Sequence, residues 1–106
     1  MHAIREISDI DFGVEVLNSE TPVLVEFFAP WCVPCKQVSI ILNDIVTRFN
    51  GRLKICKFNV DEANTPVRYS ISTVPTLLLF NKGEVIDSIF GLKSRDEIEQ
   101  TCLSNL

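Results

Sequence analysis

Cys32 and Cys35 are the residues of this chain whose type and spacing promise chemistry. A C-x-x-C pair can supply half of a structural zinc site, or it can cycle between dithiol and disulfide. Zinc would require a second such pair or two histidines, and the one histidine of the chain is His2, beside the N-terminus. Cys56 and Cys102 stand alone, too sparse for a disulfide-stapled scaffold, and read as small apolar core residues. Two charges lie where apolar side chains are expected. Glu26 interrupts Val23-Leu24-Val25-Glu26-Phe27-Phe28, and Lys57 sits in the apolar run of residues 53–60. A charge retained inside a sheet needs a partner or a task.

Composition narrows the classes of function. The chain has 106 residues, 46% of them apolar, which predicts one domain over residues 1–106 with a real core. The net charge of −4 is spread without a run of like charges, so no nucleic-acid or acidic-lipid surface is expected. No apolar stretch approaches the ~20 residues of a membrane span. The N-terminus shows no basic region followed by an apolar one, and a cytoplasmic location is the expectation.

The elements that must position the cysteines follow from periodicity. Residues 4–7 read as a short strand, and Ser8-Asp9 offer N-caps for a helix burying Phe12, Val16 and Leu17, stopped at Thr21-Pro22. Residues 23–28 are apolar on both faces, which predicts a central parallel strand. Beyond Pro34, Val38, Ile41, Leu42, Ile45, Val46 and Phe49 form the inward stripe of a long helix that ends at Asn50-Gly51. Residues 53–60 form the next strand, with Cys56, Phe58 and Val60 on one face and Ile55, Lys57 and Asn59 on the other. A polar loop over 61–71, holding at most a short helix, leads to a strand at 75–80. The turn Asn81-Lys82-Gly83-Glu84 returns an antiparallel strand over 85–90. Ser94 and Glu97 form a capping box for a closing helix that turns Ile98, Cys102 and Leu106 inward. The order βαβαβ then ββα predicts an α/β sandwich, a mixed sheet with helices on both faces.

In such sheets ligand chemistry gathers where a central strand turns into a helix, and Ala29-Pro30-Trp31-Cys32-Val33-Pro34-Cys35-Lys36 lies there. With Trp-Cys-x-Pro-Cys-Lys behind an apolar strand and Val74-Pro75-Thr76-Leu77 about 40 residues on, the sequence resembles the thioredoxin family over essentially its whole length. The resemblance implies a thioredoxin-like three-layer sandwich, a mixed five-stranded sheet flanked by about four helices. It implies a monomeric protein-disulfide reductase that works by dithiol–disulfide exchange through Cys32-Val33-Pro34-Cys35, with no cofactor beyond that redox-active disulfide. Its partners would be disulfide-containing client proteins and a thioredoxin reductase as electron donor. Cys32, at a helix N-terminus that favours the thiolate, would attack, and Cys35 would resolve the mixed disulfide.

The resemblance also carries over to single positions. Family members commonly bury an aspartate at the place of Glu26, thought to handle protons for the deeper cysteine, and keep a lysine at that of Lys57. Pro75 matches the family's cis-proline, with Val74 pairing its backbone to an extended client. Trp31, Val33, Pro34 and Gly91 would line the same surface. The chain departs from the usual pattern at Glu26, one methylene longer; at Val33, most often glycine; at Ile40, frequently a helix-kinking proline; and at Phe28, often tryptophan. Three other readings stay open: a carrier or oxidant dedicated to one client, a non-catalytic module that docks through the Trp31 to Pro75 surface, and a two-cysteine metal carrier recognisable by stoichiometric metal.

Overall fold

The computed structural model describes residues 4–61 and 63–106, so His2 lies outside the described residues. Strand β1 (Arg5–Ile7) leads to α1 (Asp9–Phe12), which widens into a π turn over Gly13–Leu17. Strand β2 (Val23–Phe28) runs into the long helix α2 (Val33–Ile45), which tightens to a 3-10 turn over Val46–Phe49. Then come β3 (Lys54–Asn59), α3 (Thr65–Arg68), β4 (Thr76–Asn81), β5 (Glu84–Phe90) and α4 (Arg95–Ser104). The sheet order is β1-β3-β2-β4-β5. The pairs β1·β3 and β2·β3 are parallel, and β2·β4 and β4·β5 are antiparallel. The expected sandwich of a parallel half and an antiparallel half is present. One detail differs: β2 is central, but it is parallel to β3 alone.

The double-sided apolar pattern of β2 is used as such. Leu24 packs with Val38, Leu42, Ile98 and Cys102 of α2 and α4 on one face, and Val25 and Phe27 pack with Phe12, Val16 and Phe58 on the other. Phe12 meets Phe58 and Phe80 edge to face, at 6.0 and 5.6 Å between ring centres. Cys56 and Cys102 are buried, as expected of small core residues.

The stops also follow from chemistry. Asn50 and Gly51 take the left-handed conformation after α2, with φ of 46° and 84°. Lys82 and Gly83, with φ of 52° and 82°, close the β4–β5 hairpin. In α4 the Ser94 hydroxyl accepts the Glu97 N–H at 3.1 Å. The inward placement of Leu106 is overturned. Helix α4 ends at Ser104, so helical spacing no longer governs Leu106, which is 45% exposed.

A single carboxylate ties α1 to α3. Asp9 accepts the N–H groups of Asn64 and Thr65, each at 2.9 Å, and the Thr65 hydroxyl at 2.6 Å. The Thr65 hydroxyl first, then those two N–H groups, hold the Asp9 carboxyl below the usual carboxylate range. A carboxyl lowered in the folded state stabilises the fold above its unfolded pKa and loses that contribution as pH falls through the folded one. Asp9→Ala should therefore lower the melting temperature near neutral pH, and the gap to the parent should close as pH falls below about 4. Thermal melts across that range check it; a gap independent of pH would assign the loss to something other than the carboxylate.

Candidate active site

Strand β2 delivers the chain to the site, and a tight turn converts it to helix. The Cys32 N–H donates to the Ala29 carbonyl at 3.1 Å, and Cys32 stands as N-cap of α2 in extended conformation, φ −90° and ψ 109°. Val33 and Pro34 occupy the first two helical positions, where a missing N–H costs nothing. Cys35 follows one turn in, and its N–H donates to Cys32 Sγ at 3.2 Å. The two sulfurs are joined as a disulfide, with 5.3 Å between the Cα atoms. When that bond opens, the same N–H and the positive end of α2 favour the thiolate on Cys32. Depth does not separate the two cysteines as expected, because they are 4% and 2% exposed; their places on the helix do.

The flanks present apolar surface. Trp31 is 70% exposed and Val33 62%, so both side chains stand open at the surface beside the disulfide. Val74 packs against the cluster of Ala29, Cys32 and Cys35 from across the sheet end. The Val74-Pro75 peptide bond is cis. The Gly91 N–H donates to the Pro75 carbonyl at 2.9 Å, and Gly91, at φ 77°, uses a conformation that a side chain would strain. The loop before β4 is thereby fastened to the end of β5.

Beneath the turn lies Glu26, wholly buried on the α2 side of β2. Lys57 stands directly opposite it on β3. Among the described residues the two are not in ion-pair contact, which takes 4.0 Å or less. The Lys57 ammonium lies 5.5 Å over the Phe28 ring instead. The partner of Glu26 is Ser39, whose hydroxyl lies 2.8 and 3.1 Å from the two carboxylate oxygens. Sequence reasoning missed Ser39. Its one signal was its position four residues after Cys35, beside the inward stripe of α2. A cleft of about 270 Å³ between α2 and β3 is lined by Cys35, Lys36, Ser39, Ile40, Lys57 and the Phe28–Pro30 corner.

Burial pushes the Glu26 carboxyl up to about 7, against the opposing pull of the Ser39 hydrogen bond and the Lys57 charge. The other two thiols are inert by the same physics. Burial raises that of Cys56 and pushes that of Cys102 up to about 12.

The thioredoxin family model matches residues 3–104. Thioredoxin of Synechocystis sp. (strain ATCC 27184 / PCC 6803 / Kazusa) is 39% identical over 102 residues, 95% of each chain. Thioredoxin of Acidithiobacillus ferridurans is 44% identical over 97 residues, 91% of this chain and 90% of that one. Thioredoxin M4, chloroplastic, of Arabidopsis thaliana is 43% identical over 92% of this chain and 51% of its own length. The chain belongs to the thioredoxin family. Membership and the Cys32–Cys35 disulfide together make it a thiol–disulfide oxidoreductase, a protein-disulfide reductase of the thioredoxin type. The docking module that leaves its cysteines idle is set aside.

The buried carboxyl makes stability depend on pH. Its folded value of about 7 lies above the ordinary 4.5, so the folded chain holds a proton that the unfolded chain releases between those values. Its contribution is full at low pH and is lost as pH rises toward about 7, about 3 kcal/mol in all for a shift of this size. Glu26→Gln should remove this slope and gain on the parent by about that amount between about pH 4.5 and 8. Urea unfolding at both ends of the range measures it; parallel curves would mean that the carboxyl titrates as an exposed one does.

Proposed function

We propose that Cys32 is the attacking thiol, Cys35 the resolving thiol and Glu26 the proton acceptor for Cys35, with Lys57 holding positive charge at the cleft. The hydrogen bond from the Cys35 N–H to Cys32 Sγ at the N-cap of α2 carries this reading. It favours charge on the sulfur of Cys32 and gives Cys35 no such help. In the reaction, the Cys32 thiolate bonds to one sulfur of the client disulfide, and the other client sulfur leaves as a thiolate and takes up a proton. Cys35 then gives its proton to Glu26 and attacks Cys32 Sγ, expelling the second client thiolate and closing the Cys32–Cys35 disulfide. The client gains two electrons and the protein loses two.

Clients would dock on Trp31, Val33, Pro34 and Gly91 and pair an extended segment with the backbone of Val74, an arrangement that tolerates many sequences. A thioredoxin reductase would return the two electrons, and the chain would act as a monomer and a single domain over residues 1–106, with no group beyond its own sulfurs. A reducing compartment such as the cytoplasm suits this direction of electron flow. No helix among the described residues is long and apolar enough to cross a membrane.

Trapping tests the order of attack. Cys35→Ser should accumulate mixed disulfides with many clients and Cys32→Ser almost none; equal trapping would sink the assignment. Glu26→Ala should slow resolution about 10 to 100-fold and leave the first attack nearly unchanged, because water replaces a general base only in part. Stopped-flow kinetics with a fluorescent disulfide separate the two steps, and a loss confined to the first attack would transfer Glu26 to Cys32.

A further inference from the structure

Ser39 is the polar side chain that meets Glu26, and it does so from the helix that carries Cys35. Residues i and i+4 of a helix lie one above the other on the same face, so Ser39 sits a turn behind Cys35 along α2. Glu26 itself is wholly buried, whereas Ser39 and Cys35 both line the cleft between α2 and β3. The remaining groups on this side are accounted for. Lys57 from β3 lies over the Phe28 ring, Lys36 from α2 lines the cleft, and β4 presents Leu77 as the register partner of Glu26, which cannot titrate.

We propose that Ser39 is a positioning residue for the resolving step: its hydroxyl, donated to Glu26, holds the carboxylate toward α2 in the ionised form that accepts the Cys35 proton. The inference rests on the role given to Glu26 above. A hydroxyl can donate to only one acceptor at a time, and Ser39 stands within reach of both carboxylate oxygens, so the bond survives a small rotation of the carboxylate. It also favours the charged form of a group that burial otherwise keeps protonated, pulling the Glu26 carboxyl down against the larger upward push of burial.

The sign of the effect follows. Without the hydroxyl the carboxyl should hold its proton to higher pH, so less of the base form exists at acidic pH, while at alkaline pH the base is again fully formed. Ser39→Ala should therefore move the rising limb of the resolution rate up by about one pH unit. Resolution should fall about five to ten-fold near pH 6 and converge with the parent at alkaline pH. Ser39→Thr, which keeps the hydroxyl, should restore the profile. A merely structural role would lower the rate at every pH and would not be rescued in this way.

The decisive measurement is the titration of the Glu26 carboxyl by carbon NMR in parent, Ser39→Ala and Ser39→Thr proteins, read beside single-turnover resolution over the same pH range. An upward move in the alanine variant alone, matched by the kinetic limb, is the expected result. A carboxyl titration unmoved in Ser39→Ala overturns the part given to Ser39, whatever Glu26 does. An unchanged resolution rate in Glu26→Gln overturns instead the role of Glu26, and the two failures are told apart by which variant reports them.

Discussion

A strand that ends where a helix begins, with a cysteine at the junction, is the constraint on which this structure depends. Because β2 is buried on both faces, its end cannot wander, and α2 is held against the sheet by Val38 and Leu42 beyond its first turn. The Cys35 N–H of that first turn then points at a fixed place, and Cys32 Sγ occupies it. Pro34 sharpens the arrangement, since it starts a helix without wasting a donor. The remaining parts of the active end, the Val74-Pro75 loop and Gly91, are brought to the same place by the antiparallel half of the sheet.

A second constraint works against the first. The same burial that fixes β2 encloses Glu26, and a carboxylate taken from water is destabilised more than one hydroxyl and one distant ammonium can offset. Desolvation wins, which is why the carboxyl is pushed up to about 7 rather than down. Such a group is a liability for stability and an asset for proton transfer near neutral pH. With Ile40 at the place where the family frequently has a helix-kinking proline, α2 runs unbroken from Val33 to Ile45, and Cys35 and Ser39 share one face of it.

How far the site was legible depends on the kind of signal each residue leaves. Cys32 and Cys35 are visible because their spacing is a property of the chain itself. Glu26 and Lys57 are visible because a charge in an apolar strand violates the local pattern, and their opposition across β2 and β3 is set by the strand register. Ser39 left no comparable mark. A serine beside the inward stripe of a helix is ordinary, and its meeting with a residue thirteen positions earlier arises from the packing of α2 on β2.

The sequence by itself determined the order of elements, their turn chemistry and the face each side chain takes, because these are set by periodicity and by backbone preferences within a few residues. It also marked the residues capable of redox chemistry. Only the tertiary structure decided where flexible side chains end. Strand register places the Cα of Lys57 beside Glu26, yet a four-carbon stem lets its ammonium settle over Phe28, and the carboxylate turns to a hydroxyl on another element. Likewise Leu106 has the spacing of an inward residue but lies past the end of α4. Long side chains and frayed ends answer to contacts among distant segments, and no local pattern encodes the distance between them.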